Sequence, residues 1–169
     1  MSSTNSFKGV QTIGIVDLDN VRLGPVAQVI LNRTAVESKN ATVRGMKFYT
    51  AGYKRTVDQA ADSAKSYLQT HGFGNAELLK PVRLDKNWLR TKDLIIVTEP
   101  YLRDKILFDF FPTTYEEWEK KIGIINEMVG ISDVIRDPGP DPLVSMKPIY
   151  ELLERCCKEI IKKLEMSNK

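Results

Sequence analysis

The chain has 169 residues, a net charge of +3, and 42% hydrophobic and 28% charged residues. These values are typical of a globular domain, and they exclude a mostly disordered chain, a collagen-like fibre and a disulfide scaffold. Its 25 basic and 22 acidic residues are interleaved, so we expect no nucleic-acid partner.

No apolar run approaches the ~18 residues that a membrane-spanning helix needs, and the polar N-terminus lacks the apolar core of a secretory signal. We therefore expect a cytoplasmic protein without membrane association. A flexible N-terminal tail is predicted over residues 1–9 and a single domain over residues 10–169.

Strand and helix patterns alternate along the chain. Apolar, β-branched runs predict strands at residues 10–16, 46–50, 93–98 and 122–129. Helical spacing and helix-start signals predict helices at residues 25–36, 56–71 with Thr56 as N-cap, 85–89 capped by Asp85, 100–110 and 145–166. Residues 137–142 contain three prolines and a glycine, which exclude regular structure. The alternation predicts a three-layer α/β/α sandwich around a central, four-stranded parallel sheet.

The first predicted strand ends in a loop, residues 17–24, that leads into a helix begun by Pro25. Ligands of parallel α/β sheets bind at the carboxyl ends of the strands, so this loop is the predicted ligand-binding site. Loop amides and the positive end of the helix dipole converge there, which favours an anion. The residues of this binding loop are Asp17, Leu18, Asp19, Asn20, Val21, Arg22, Leu23 and Gly24.

This loop resembles the phosphate loop of the low-molecular-weight protein tyrosine phosphatases. The matching residues are Val16, Leu18, Asn20, Pro25 and Ala27, with Gln28 where the family has glutamate. Five further segments resemble segments of this family and follow the family's order: residues 48–52, 93–98, 101–105, 137–138 and 149–157. The resemblance implies the phosphotyrosine protein phosphatase I-like fold over roughly residues 10–165, with Asn20 bracing the loop.

The residues that carry this family's chemistry are replaced. The resemblance aligns the nucleophilic cysteine with Asp17 and the phosphate-clamping arginine with Leu23. A phosphate dianion at about 4 Å from the carboxylates of Asp17 and Asp19 would be destabilised by roughly 4 kcal/mol for each. Arg22, in a tight loop, is expected to point elsewhere. We therefore predict no catalytic residue of the thiolate mechanism and a pseudophosphatase that acts as a binding or regulatory module.

Two residues are predicted at the rim of the site. Tyr53 follows the segment at 48–52, and Asp137 occupies the position of the family's general acid. Asp137 is a candidate remnant acid, and it is equally a candidate cap of a turn. Gly139 and Pro140 stand where the resemblance implies aromatic residues that stack on the substrate, so we expect that wall to be lost.

A second interpretation keeps the protein an enzyme. Residues 17–21 also match the first motif of the haloacid dehalogenase superfamily, in which one aspartate attacks phosphorus and Mg²⁺ neutralises the charge. Asp17 and Asp19 are then candidate Mg²⁺ ligands; otherwise no cofactor is expected. Further members of such a site would be Thr98, Asp133, Asp137, Lys92 and Lys105.

This alternative, or a residual activity of the phosphatase family, would make the protein a phosphoric monoester hydrolase. The binding partner is left open between a protein and a small anionic or cationic ligand, and a homo-oligomer is possible. The only cysteines, Cys156 and Cys157, are adjacent in the last predicted helix and are expected to pack in the core. The only histidine, His71, is expected at a helix end.

Overall fold

The computed structural model describes residues 7–54, 57–74, 80–141 and 143–169, and its centre is a sheet of four parallel strands. The strands lie in the order β2-β1-β3-β4, and their bounds are β1 Thr12–Asp17, β2 Lys47–Gly52, β3 Leu94–Val97 and β4 Ile122–Ile124. Pairing in register places Val16 beside Ala51 on one side and Val97 on the other. The predicted α/β fold with a four-stranded parallel sheet is confirmed.

Helices cover both faces of the sheet. They are α1 Leu23–Val36, α2 Ala41–Arg44, α3 Asp62–Thr70, α4 Lys86–Arg90, α5 Pro100–Phe110, α6 Tyr115–Glu119, α7 Ile125–Met128 and α8 Lys147–Ser167. Asp85 caps α4 as predicted, because its Oδ1 accepts a hydrogen bond of 2.7 Å from the Trp88 amide. Within the described ranges, no helix combines the length and the apolar character that crossing a bilayer requires.

Side chains alternate between the two faces of β1 and divide the core into two layers. On one face, α1 and α8 pack against Ile13 and Ile15, and this layer includes Cys156 and Cys157, which are buried as expected. On the other face, α5 packs against Val16 together with residues of β3. The two layers leave only the edges of the sheet open, and the carboxyl edge carries the loop of residues 17–24.

Two predicted elements are too long. The helix predicted at residues 56–71 begins at Asp62, and Thr56 lies outside the described residues. The strand predicted at residues 122–129 ends at Ile124, where the chain turns into α7. Either conformation would bury the apolar side chains of that run, so their pattern could not tell strand from helix. A hydrogen bond of 2.9 Å from the Asn126 side chain to the Ile131 carbonyl closes the end of α7.

The N-terminal boundary stays a prediction, with one observation that bears on it. Phe7 is only 7% exposed and packs in the same layer as α1 and α8, although it falls within the predicted tail. A hydrogen bond of 3.3 Å from the Val10 amide to the Phe7 carbonyl turns the chain back so that both side chains are buried. Residues 1–6 lie outside the described residues.

Candidate functional site

The predicted binding loop connects the last residue of β1, Asp17, to the first residue of α1, Leu23. Its shape depends on Asn20, which has a φ of 61°. Asparagine tolerates this left-handed conformation better than most residues other than glycine. The Asn20 side chain donates 2.9 Å to the hydroxyl of Thr50 and accepts 3.1 Å from the Val82 amide. Asn20 therefore braces the loop, as the resemblance implied.

The carboxylate of Asp17 is bound by the amides of its own loop. Its Oδ1 accepts a hydrogen bond of 2.8 Å from the Asn20 amide, and its Oδ2 accepts one of 2.8 Å from the Gly24 amide. The Gly24 amide belongs to the first turn of α1, where amides have no partner within the helix. Asp17 thus occupies donors that the loop would otherwise offer to an anion.

Burial also changes the acidity of this group, since Asp17 is 1% exposed. Desolvation raises the pKa of Asp17 to about 7, although the hydrogen bonds from Gly24 and Asn20 act in the opposite direction. The charges of Asp19 and Asp137 raise this pKa further. The aspartate at the position of the family's cysteine is therefore divided between its neutral and charged forms near neutral pH.

Arg22 points into the site, contrary to the sequence prediction. Its Nε donates to the two carboxylate oxygens of Asp137 at 2.8 and 3.0 Å, and its Nη2 donates to Asp19 Oδ2 at 3.1 Å. Arg22 is the N-cap of α1 and has a non-helical backbone, so its side chain leaves the loop in a different direction from Leu23. Leu23 itself is buried in the apolar layer with α8. The two carboxylates account for the direction that Arg22 takes.

Asp137 caps a turn, as one of its two sequence interpretations predicted, whereas its role as a remnant acid stays a prediction. Its Oδ1 accepts 2.8 Å from the Gly139 amide, which makes it the cap of a turn, and its ion pair with Arg22 places it beside the binding loop. Only 4% of its side chain is exposed.

Glu99 is a site residue that the sequence analysis missed. It follows Thr98 at the carboxyl end of β3, next to the end of β1, because the Thr98 amide donates 3.0 Å to the Val16 carbonyl. Its Oε2 accepts 3.3 Å from the Asp137 amide. Burial raises the pKa of Glu99 to about 7. The rule that identified Asp17, a polar residue directly after a buried strand, would have found Glu99 as well.

Three buried oxygen atoms at this edge of the sheet lack a hydrogen-bond partner: Asp19 Oδ1, Thr98 Oγ1 and Glu99 Oε1. In the part of the chain that the structure describes, only one other buried side-chain atom, Asn126 Oδ1, is in the same condition. Buried polar atoms are nearly always paired, so three together mark a place that a ligand or water would complete.

The remaining predicted residues are dispersed. The Tyr53 amide donates 2.8 Å to the Asp17 carbonyl, its hydroxyl donates to Asp109, and its ring lies 5.5 Å from Lys105 Nζ. Its place at the rim of a binding site stays a prediction. Lys92 was wrongly included, because it precedes β3 and therefore lies at the opposite edge of the sheet, 4.4 Å from the Trp88 ring. Asp133 is exposed in the loop after α7.

His71 is the C-cap residue of α3, as its position before Gly72 predicted. Its ring stacks on Tyr67 at 3.9 Å, and its Nδ1 lies 2.9 Å from the Tyr67 carbonyl oxygen. These contacts hold it in the outer part of the helical layer.

For a metal, the described residues contain no group of three or more histidine, cysteine, aspartate or glutamate side chains arranged to hold an ion. Both oxygens of Asp17 face backbone amides. Binding of Mg²⁺ by Asp17 and Asp19 stays a prediction.

Gly52 fixes how closely β2 approaches the binding loop. A Cβ atom at this position would lie 2.6 Å from the Asp19 carbonyl carbon and 2.7 Å from the Asn20 nitrogen, and backbone atoms cannot move aside as a side chain can. We expect Gly52→Ala to lower the free energy of unfolding by about 1–3 kcal/mol, measured by chemical denaturation. Gly45→Ala is the control, because its Cβ would make only an ordinary contact of 3.6 Å. Equal stability of the two variants would contradict the close approach.

Comparison with known proteins gives structural matches only. No protein-family model matches the sequence, and no curated protein matches it significantly. The tyrosine phosphatase AmsI of Erwinia amylovora is 20% identical, with 90% of this chain and 92% of that chain covered and a TM-score of 0.74. The YwlE arginine phosphatase of Geobacillus stearothermophilus is 20% identical over 92% of this chain and 94% of that chain, with a TM-score of 0.76.

A third match is the low-molecular-weight protein tyrosine phosphatase of T. tengcongensis, which is 21% identical over 90% of this chain and 99% of that chain, with a TM-score of 0.76. These identities are low, whereas nearly the whole length of each chain superimposes. The resemblance found in the sequence is thereby confirmed in three dimensions: this chain has the fold of the low-molecular-weight protein tyrosine phosphatases.

Proposed function

We propose that this protein is a pseudophosphatase, a phosphatase-fold module that binds a ligand or partner at its former phosphate loop and transfers no phosphoryl group. One observation carries the proposal: the Asp17 carboxylate accepts the amides of Asn20 and Gly24. An incoming phosphate would have to displace the Asp17 carboxyl group from these donors and would meet the charge of Asp19 beside them. We also propose that the protein acts in the cytoplasm.

The positions of the cysteines support the absence of thiolate chemistry. Cys156 and Cys157 lie in α8, and the Cys157 Sγ is 4.0 Å from the carbonyl of Ala27 in α1, away from the binding loop. Burial raises the pKa of Cys156 to about 11, and it raises that of Cys157 well above its usual value. Both are therefore thiols at neutral pH, and a thiol is a poor nucleophile.

The contacts of Asp137 point in the same direction. A general acid must reach the leaving group of the substrate. Here the two oxygens of Asp137 are engaged by Arg22, and one of them also accepts from Gly139. Asp137 therefore serves as a partner of Arg22 rather than as an acid that protonates a leaving group.

The test is hydrolysis of an aryl phosphate by highly purified protein, with Mg²⁺ and with a chelator, beside Asp17→Asn. We expect no turnover above the blank in either condition, and no thermal shift with orthovanadate, because the loop donors are occupied. Turnover that requires Mg²⁺ and disappears in Asp17→Asn would overturn the proposal. It would mean that an Asp17 oxygen bonds to phosphorus as the aryl oxygen leaves, and that water then hydrolyses the aspartyl phosphate.

A further inference from the structure

We propose that the acidic cluster of Asp17, Asp19, Glu99 and Asp137 binds an organic cation, a guanidinium or ammonium group that donates hydrogen bonds to Asp19 and Glu99. This inference rests on the proposed function, since it names the class of ligand that the same loop would take. The ligand would bind the carboxylate oxygens that Arg22 does not reach, Asp19 Oδ1 and Glu99 Oε1.

The carboxylates converge through shared partners. Arg22 joins Asp19 to Asp137, at 3.1 and 2.8 Å, and the Asp137 amide donates 3.3 Å to Glu99. Asp17 lies in the same loop, and the charges of Asp19 and Asp137 act on it. One buried guanidinium is thus set against four carboxyl groups, with the exposed Arg136 near Glu99 as a second positive charge.

The unpaired oxygens show which kind of ligand fits. Asp19 is 8% exposed, Glu99 is 6% exposed and Thr98 is fully buried, yet each has an oxygen without a partner in the described residues. A ligand that donates N–H groups to Asp19 Oδ1 and Glu99 Oε1 would satisfy both acceptors and add the missing positive charge. An anion would do neither.

An organic cation also fits better than a metal ion. Metal ions such as Mg²⁺ require several oxygen ligands directed at one point. Both Asp17 oxygens are instead turned towards amides, and one oxygen each of Asp19 and Glu99 is already bonded. A guanidinium or ammonium group needs only single acceptors, because it brings its own hydrogen-bond donors.

Tyr101 is an aromatic residue close to the cluster in the chain, and it is partly exposed to solvent. It is 39% exposed at the start of α5, two residues after Glu99. Burial raises the pKa of Tyr101 to about 12, and the charges of Glu99 and Asp137 contribute to the rise, so its hydroxyl lies within electrostatic range of these acids. An aromatic ring beside carboxylates is a favourable environment for an organic cation.

The test uses the full chain and calorimetric titration with two probes, methylguanidinium and a short arginine-containing peptide. The same peptide with citrulline, which is uncharged, is the matched ligand control. We expect both guanidinium probes to bind and the citrulline peptide not to bind. If methylguanidinium binds as well as the peptide, the natural source of the cation can be a small molecule; if the peptide binds much more tightly, a protein side chain is favoured.

The variants test the assigned acceptors. Glu99→Gln and Asp19→Asn should each weaken binding at least about tenfold, which corresponds to one hydrogen bond to a charged group. Asp104→Asn removes an exposed carboxylate from the same helix as Tyr101 and should leave the affinity unchanged. Unchanged affinity in Glu99→Gln, or equal binding of the citrulline peptide, would overturn the proposal.

The pH dependence of the unmodified protein gives a readout that does not depend on the folding of any variant. A bound cation favours ionised Glu99, so affinity should rise from pH 6 to pH 8 and then level off. Affinity that is constant over this range, or no binding at millimolar probe, would contradict a cation site. Turnover of aryl phosphate would instead refute the proposed function, so the two failures are distinguishable. The charged and titratable groups that act on Glu99 are Asp137, Arg136, Arg22 and Tyr101, and Asp17 and Asp19 act in turn on Tyr101.

Discussion

Replacement of Arg22 by methionine is expected to lower the free energy of unfolding by about 3–5 kcal/mol. The side chains of Arg22, Asp19 and Asp137 are 8%, 11% and 4% exposed, so the arginine is the partner of two carboxylates that water reaches poorly. Methionine keeps much of the length of the side chain and removes only its charge and its donors. Asp19 and Asp137 would then be left as buried charges without compensation.

Chemical denaturation at neutral pH measures this loss. Lys162→Met is the matched control, because it breaks an ion pair with Glu159 in which the lysine side chain is 66% exposed. Such exposed pairs contribute about 0–1 kcal/mol. Similar losses in the two variants would show that the Arg22 network is not the buried ion pair that its distances indicate.

Stability should also fall as the pH rises, because of Asp17. Its pKa is about 7 in the folded protein and 3.8 as the ordinary value, so between these pH values the unfolded chain has released a proton that the folded chain retains. Unfolding therefore becomes progressively easier from about pH 4 to pH 7, after which the difference is constant. At 1.36 kcal/mol for each pH unit, the loss from Asp17 is on the order of 4 kcal/mol.

The difference in unfolding free energy between pH 4.5 and pH 8 is to be compared in the wild type and in Asp17→Asn. Asparagine does not ionise, so we expect a smaller decrease with pH, while Asp104→Asn should keep the wild-type decrease. Only this dependence is compared, because the asparagine NH₂ would face one of the loop amides and lower stability at every pH. Glu99, with a folded pKa of about 7, contributes a decrease of the same sign that both proteins share. Parallel pH profiles of the wild type and Asp17→Asn would contradict the buried carboxyl.

Local patterns in the sequence predicted the elements well where one signal defined the end of each. The helix at 100–110 has its predicted bounds because Pro100 starts it at the end of a buried strand. Such signals are missing between β4 and α7, where one apolar run changes from strand to helix at Ile125. The short helices α2 and α6 were not predicted, because four or five residues are too few to show helical periodicity.

The candidate site was located from the sequence, but its internal contacts were not. The end of β1 and the start of α1 are adjacent in the chain, so the loop that carries Asp17 could be recognised from local order. Arg22 and Asp137 are 115 residues apart, and nothing in either segment indicates that they form an ion pair. The direction of Arg22 and the inclusion of Glu99 depend on where the loop before α8 crosses the sheet edge.

Asp17 competes with dissolved oxyanions for the amides of its loop, and it does so as part of the same chain. A carboxylate held by the chain next to the amides of Asn20 and Gly24 is present at an effective concentration that a freely diffusing oxyanion does not reach. Raising the phosphate concentration in solution would therefore do little to fill the loop. Exchange of Asp17 for a small, uncharged side chain would release both amides, while the charge of Asp19 would still oppose an oxyanion.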